Sequence, residues 1–339
     1  MDSALKIAVV IPCHRVRRHV QGVIAGIGPE VARIYVVDDA CPEQSGQLVR
    51  DECRDPRVVV IVNERNLGVG GATLRGYRRA IDDGMDIIVK MDGDGQMDPA
   101  MLARLVRPIA AGIADYSKGN RFFDLRGVQQ MPWLRTFGNA ALSLLSKLSS
   151  GYWNLFDPTN GYTAIDSLTA AKLPFEKISQ RYFFESDMLF RLNLARAVVV
   201  DVPMDAHYGD EESSLRIARA LFEFAGKHVL NFLKRIFYGY YLRDMSVASF
   251  ELVFGLILTV FGAVFGSLSW IHAASLHTTA SAGTVMLAAL PLLVGLQLLL
   301  AFLNFDIAAV PRVPLQQLLR DHPQHQAGSM PRAEPVSHP

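Results

Sequence analysis

The run Lys90-Met91-Asp92-Gly93-Asp94-Gly95-Gln96-Met97-Asp98-Pro99 sets two carboxylates two residues apart, separated by glycine, directly after an apolar stretch. A turn of this kind can aim oxygens at one hard cation. Mg²⁺ or Mn²⁺ needs few protein carboxylates when a substrate diphosphate supplies other ligands, and the ion then stabilises the charge that grows on a departing diphosphate. An EF-hand is excluded, because no glutamate stands at the loop's twelfth position. A second carboxylate pair, Glu185 and Asp187, lies in Phe183-Phe184-Glu185-Ser186-Asp187 at the start of a predicted helix. It could simply complement the positive end of that helix, worth about 0.3–1 kcal/mol, or it could supply a base or position an acceptor.

The elements that would position these groups are written in the first 100 residues. Short β-branched runs at 7–11, 34–37, 58–62 and 87–91 each end in polar or glycine-containing turns, with helix-compatible stretches between them. The alternation predicts parallel strands joined by crossover helices. Ligands in such sheets gather at the carboxyl ends of the strands, where His14, Asp38, Asp39, Asn66, Asp92 and Asp94 fall. The segment Asn66-Leu67-Gly68-Val69-Gly70-Gly71 has the look of a dinucleotide fingerprint, but Thr73 stands where that motif needs Gly or Ala. A nicotinamide site is therefore not expected, and the glycines read as a tight turn. Further on, a helix to about residue 111, an edge strand and loop at 115–121, a helix at 182–195 and a strand at 197–202 are predicted, with no secure assignment from 122 to 160.

The C-terminal third is different in kind. Between 217 and 241 apolar residues recur at helical spacing among Arg219, Lys227, Lys234 and Arg235, the pattern of a basic amphipathic helix lying in a membrane interface. The stretches 252–271 and 285–305 are uncharged, apolar and each about the 20 residues needed to cross a hydrocarbon core. Lys and Arg are absent between Arg243 and Arg312 but present on both flanks, which predicts that both ends of the pair stay in the cytoplasm. Across the 339 residues the formal charge is +1, giving no footprint for nucleic acid. The three cysteines have neither disulfide nor zinc spacing and fit a reducing compartment.

Four segments in order, Val36-Val37-Asp38-Asp39, Asn66-Leu67-Gly68, Asp92-Gly93-Asp94-Gly95-Gln96 and Asp157-Pro158-Thr159-Asn160-Gly161-Tyr162, resemble family 2 glycosyltransferases of the GT-A fold. The resemblance spans roughly residues 5 to 210 and looks strongest to the dolichyl-phosphate mannose synthase and polyprenyl-phosphate glycosyltransferase branch. It implies a mostly parallel, Rossmann-like α/β domain that binds a nucleotide-sugar donor. Asp39, with Asp38 beside it, would contact the base or ribose, and Pro12, His14, Asn66 and Gly68 would complete the nucleotide side. Asp92 and Asp94 would hold the metal and diphosphate, with Asp94 also catalytic, and Gln96 would line the sugar pocket. Arg121, Asn160, Gly161 and Tyr162 would form the acceptor or phosphate side, a guanidinium fork being suited to phosphate. Two departures stand out. The family's Asn-Glu pair after the first strand's proline is replaced by Cys13-His14-Arg15-Val16, and the arginine often found after the Gly-aromatic pair is replaced by Thr163. Arg121, Arg126, Arg135 or Arg181 could supply positive charge instead.

The expected organisation is a catalytic domain at 1–215, an interfacial helix region at 216–245, a transmembrane hairpin at 246–310 and a disordered cytoplasmic tail at 311–339. The expected activity is inverting transfer of a hexose from a nucleotide sugar to a polyprenyl phosphate on the cytoplasmic face of an inner or comparable membrane. The alternatives are an enzyme extending a glycolipid or envelope polysaccharide at a hydroxyl, and a non-catalytic nucleotide-binding scaffold. A lipid phosphate is already ionised and needs no base, whereas a hydroxyl needs a carboxylate. Asp187 is the expected base, with Glu185 beside it. Membrane lipid is an expected partner, and self-association is left open.

Overall fold

The computed structural model describes residues 5–122, 133–204 and 217–321. It separates into two compact units, one formed by the chain up to Asn231 and again from Pro311, the other by Phe232–Val310. Arg126 and the side chain of Arg135 lie outside the described part.

The first unit is built on strands β1 (Ile7–Cys13), β2 (Val31–Asp38), β3 (Val58–Val62), β4 (Ile87–Lys90), β5 (Tyr116–Asn120), β6 (Thr163–Asp166) and β7 (Val199–Pro203). Helices α1 (Val20–Gly26), α2 (Ser45–Glu52), α3 (Val69–Asp82), α4 (Leu102–Ala110), α5 (Trp133–Ser150), α6 (Ser167–Ala171) and α7 (Phe184–Leu194) connect them. The sheet order is β3-β2-β1-β4-β6-β5-β7. All strands run parallel except β6, which is antiparallel to both β4 and β5. Parallel strands covered on both faces read as continuous apolar runs, and β1 and β4 do so, with Val9, Val10, Ile87, Ile88 and Val89 fully buried. Lys90, the last residue of β4, is the exception: it too is 0% exposed.

The reversed β6 places its amino end, Thr163, opposite Lys90 of β4 and Lys118 of β5. The Asn160-Gly161-Tyr162 loop therefore arrives beside the carboxyl ends of β4 and β5, where the functional edge of the sheet lies. This strand was not among the predicted elements, because four residues ending in aspartate carry too little periodicity to be recognised.

Helix α8 (Ile217–Phe237) is continuous, and a π-helical turn at Tyr238–Arg243 follows it. Up to Asn231 it belongs to the first unit: His228 Nδ1 lies 2.7 Å from Ser149 Oγ, and Asn231 Nδ2 donates to Asp187 Oδ1 at 3.0 Å. The region expected as a separate interfacial module is thus divided between the two units. In the second unit, α9 (Val247–Ser275) and α10 (Ala282–Ala308) are 29 and 27 residues long, and only 11% of the most apolar stretch of each is buried. They are long and apolar enough to cross a membrane, and they leave many of their leucines and phenylalanines facing outward, Phe302 being buried. Close packing of the pair depends on small residues; a Cβ at Gly262 would meet the Ala288 carbonyl oxygen at 2.7 Å. At their base Arg235 forks onto Asp306, with Nη2 to Oδ2 at 3.0 Å, and Tyr240 donates to the same carboxylate at 2.6 Å.

The tail expected to be disordered from residue 311 is structured in its first part. Helix α11 (Leu315–Arg320) docks on the first unit, where Gln316 is 1% exposed. Its polar composition gave no sign of this, since the partners lie about 200 residues earlier in the chain.

Candidate active site

Two adjoining cavities of about 420 and 170 Å³ open at the carboxyl edge of the sheet, and Asp92 and Asp94 line both. The larger is walled by Pro12, His14, Asp39, Asn66, Gly68 and the Asp92-Gly93-Asp94 turn, with Arg181 and Tyr182 from the chain ahead of α7. The smaller is walled by Gln96, Asp98, Arg121, Asn160, Gly161, Tyr162 and Met204. Of the predicted nucleotide-sugar residues, Pro12, His14, Asp39, Asn66 and Gly68 line the larger cavity, while Gln96 lines the smaller together with Arg121, Asn160, Gly161 and Tyr162.

Around the larger cavity, the adjacent aspartates Asp38 and Asp39 do different work. Asp39 is held by three donors: Leu67 N at 2.8 Å and Asn63 Nδ2 at 2.7 Å to Oδ1, and Gly68 N at 2.7 Å to Oδ2. It fixes the turn that frames the cavity. Gly68 is needed there, since its φ is +87° and a Cβ would meet the Gln180 carbonyl oxygen at 2.6 Å. Asp38 lies outside both cavities. Its carboxylate accepts from Cys41 N at 2.8 Å and Gly46 N at 2.6 Å, closing the turn into α2. His14 Nδ1 pairs with Asn66 Nδ2 at 3.1 Å on the rim.

At the centre, Asp94 Oδ1 accepts from Gln96 N at 3.0 Å, which shapes the turn. Asp92 Oδ1 accepts from Lys90 Nζ at 2.8 Å, and the same ammonium reaches Gly161 O at 3.2 Å and Glu185 Oε1 at 3.4 Å. Burial by itself would lower the Lys90 pKa, but the charges of Asp92 and Glu185 outweigh it and hold the group above its ordinary value. Burial pushes the Glu185 carboxyl up, and Lys90 opposes that rise. Among the described residues no group of three His, Cys, Asp or Glu side chains is placed to hold a metal. Two carboxylates at a cleft suit a divalent ion that is completed by a diphosphate and water, which is how Mg²⁺ is commonly bound. The donor set therefore fits the expected ion, with Asp92 and Asp94 as its holders.

At the smaller cavity, Arg121 forks onto the fully buried Asp157, Nε at 2.8 Å and Nη2 at 3.0 Å. Burial would raise the Asp157 pKa, but Arg121 outweighs it and holds the group low. Arg121 still lines the cavity, so its pairing with Asp157 positions it. Asn160 Oδ1 accepts from Tyr162 N at 2.9 Å, and Tyr162 OH donates to Asp98 O at 3.1 Å. Gly161 is required by close approach, since a Cβ there would lie 2.6 Å from Lys90 Nζ and 3.1 Å from Asp92 Oδ2. Gly161→Ala is expected to destabilise the protein by about 1–3 kcal/mol through overpacking. Denaturant unfolding measures this, and wild-type stability would mean that the ammonium has room to move.

The second carboxylate pair separates. Asp187 lies outside both cavities and accepts from Ser179 N at 2.8 Å and Asn231 Nδ2 at 3.0 Å. The Asp187 carboxylate, expected as a base, ties α7 to α8 and to the preceding loop. Glu185 faces Lys90, with Oε1 3.4 Å from its Nζ. Lys90 and Tyr182 were not among the expected site residues. A lysine inside an otherwise apolar strand, two residues before the carboxylate turn, is the signal that could have found Lys90.

A mostly parallel sheet with a carboxylate turn at its carboxyl edge, shared by two cavities, is an α/β arrangement suited to a transferase that grips a diphosphate. The model of the family described as Glycosyl transferase family 2 matches residues 8–168. An undecaprenyl-phosphate mannosyltransferase of Micrococcus luteus is 33% identical over 173 residues, 50% of this chain and 70% of that one. A UDP-N-acetylglucosamine–dolichyl-phosphate N-acetylglucosaminyltransferase of Methanococcus voltae is 27% identical over 217 residues, 60% of this chain and 86% of that one. Among solved structures, glucosyl-3-phosphoglycerate synthase from Mycobacterium tuberculosis in complex with Mg²⁺ and UDP superposes with a TM-score of 0.52 at 20% identity, covering 68% of this chain and 79% of that one. The chain belongs to glycosyl transferase family 2, and it is a glycosyltransferase with the GT-A fold.

Proposed function

We propose that this enzyme moves a hexose from a nucleotide sugar to a polyprenyl phosphate, with inversion, at the cytoplasmic face of a membrane. The observation that carries the reading is the pair of cavities meeting at Asp92 and Asp94, with the nearby acceptor-side carboxylates already engaged. Asp187 is tied to Ser179 and Asn231, Glu185 faces Lys90, and Asp98 Oδ1 accepts from Ala100 N at 2.9 Å as a cap. An acceptor hydroxyl would need a base from this set; an ionised lipid phosphate attacks without one.

The larger cavity takes the nucleotide, framed by the Asp39-held turn, and the smaller takes the transferred sugar beside Gln96 with the acceptor phosphate near Arg121. Bound Mg²⁺ or Mn²⁺, held by Asp92 and Asp94, would supply charge stabilisation to the leaving diphosphate. The chain itself supplies orientation, since in-line attack gains most from holding the acceptor oxygen and the anomeric carbon in register. The two lipid-phosphate transferases described above, which are among its relatives of that kind, support the acceptor class. The apolar pair α9 and α10 supports membrane association, and the Lys/Arg distribution supports a cytoplasmic catalytic unit.

Purified protein incubated with a nucleotide-sugar panel, Mg²⁺ or Mn²⁺ and polyprenyl phosphate is expected to yield a hexosyl phospholipid detectable by mass analysis. A parallel incubation with a glycolipid offering only hydroxyls is expected to yield little. Transfer confined to the hydroxyl acceptor would overturn the reading, and failure to release nucleoside diphosphate under any condition would favour a non-catalytic scaffold.

A further inference from the structure

Lys90 is the least expected residue of the site. It ends a central strand whose other residues are apolar, and its side chain is 1% exposed. Burying an ammonium is costly, and a buried ion pair is often no more stabilising than an apolar replacement of similar size. Stability alone therefore does not account for a lysine where methionine would complete the strand.

Its surroundings suggest another use. A Cβ built on Gly161 would lie 2.6 Å from Lys90 Nζ, 3.1 Å from Asp92 Oδ2 and 3.4 Å from Glu185 Oε1, so the ammonium and two carboxylates crowd around one point. Asp94 lines the same two cavities as Asp92. With the ammonium removed, the Asp92 and Glu185 carboxylates and the Gly161 carbonyl, which now surround Lys90 Nζ at 2.8, 3.4 and 3.2 Å, would turn three oxygens toward a hard cation in its place. With Lys90 in place, Asp92 Oδ1 is occupied and Glu185 has a counter-charge.

We propose that Lys90 is an internal counter-cation that keeps the carboxylates of this site from trapping a divalent ion, so that the ion is retained only together with the donor's diphosphate. The inference rests on the donor-site reading above and adds to it that Lys90 acts through Asp92 and Glu185. Metal and nucleotide would then enter and leave as one unit, and the site would not stay blocked by an ion after the product departs.

The test is Mn²⁺ titration followed by the electron paramagnetic resonance signal of free Mn²⁺, without nucleotide and with UDP or GDP. Wild-type protein is expected to bind Mn²⁺ at least tenfold more tightly with one of the nucleotides than without. Lys90→Met, and Lys90→Gln, which keeps an amide donor but no charge, are each expected to tighten binding of Mn²⁺ alone about tenfold. Adding Glu185→Gln to Lys90→Gln is expected to reverse that gain. A lysine of merely structural importance would lower thermal stability in these variants without tightening Mn²⁺ binding. Unchanged or weaker Mn²⁺ binding in either folded Lys90 variant would overturn the proposal. Should neither variant fold, wild-type protein that binds Mn²⁺ alone as tightly as with nucleotide would overturn it. A wild-type protein that binds neither UDP nor GDP, measured by calorimetry with and without Mn²⁺, would instead count against the donor-site reading, which is a distinct result.

Discussion

Asp94→Ala is expected to reduce turnover about a thousandfold, the scale of loss when a group that stabilises transition-state charge is removed from a protected site. Asp94 lines both cavities, and its half-buried carboxylate accepts from the Gln96 amide within the turn. It belongs to the turn after β4 and not to a strand of the sheet, and the thermal unfolding midpoint is expected to move less than turnover. The readout is release of nucleoside diphosphate with saturating donor and Mn²⁺, alongside thermal unfolding of the same preparation. Asp38→Asn provides the contrast. Its carboxylate closes the turn into α2 through Cys41 and Gly46, so it should cost stability and leave the turnover of the folded fraction nearly unchanged. Full turnover by purified Asp94→Ala would remove the carboxylate turn from the chemistry.

The first four strands and the carboxylate turn are legible in the sequence because both follow local rules. Central parallel strands are buried on two faces and so become unbroken β-branched runs, and ligand groups gather where those strands end. Which of two neighbouring acids faces the cleft is not legible in the same way. Asp38 and Asp39 look equivalent as letters, yet one closes a turn and the other frames the cavity. Glu185 and Asp187 stand two apart on α7, about 200° around a helix, so they cannot serve one site, and helix geometry applied to their spacing is enough to say so. The reversed strand β6 is hidden for a different reason. Its position depends on pairing between Thr163 and the lysines of β4 and β5, contacts that no local periodicity encodes. The same holds for Lys90, whose meaning lies in partners 71 and 95 positions away.

Asp115→Ala is expected to be among the most destabilising single changes in the catalytic unit, at about 3–5 kcal/mol. The side chain is fully buried at the start of β5, and its carboxylate accepts from Val198 N at 2.7 Å, Leu315 N at 2.8 Å and Gln316 N at 2.7 Å. One acid thereby joins the approach to β7 to the helix that returns after the apolar pair. Truncation strands three amide donors, and the penalty for an unsatisfied buried donor is about 1–3 kcal/mol each, reduced where water can enter. Gln316 would keep its bonds to Ala114 O at 2.6 Å and Ile109 O at 3.1 Å, so α11 is expected to loosen before the sheet does. Hydrogen exchange separates the two: the Leu315 and Gln316 amides should lose protection by several orders of magnitude, while those of β1 and β4 fall only in proportion to global stability. Protection of those two amides equal to wild type would mean that the carboxylate does not hold the returning helix. Because β5 leads directly to Arg121 and the site's acceptor side, partial activity surviving at low temperature would show that the anchor maintains the site without taking part in the transfer.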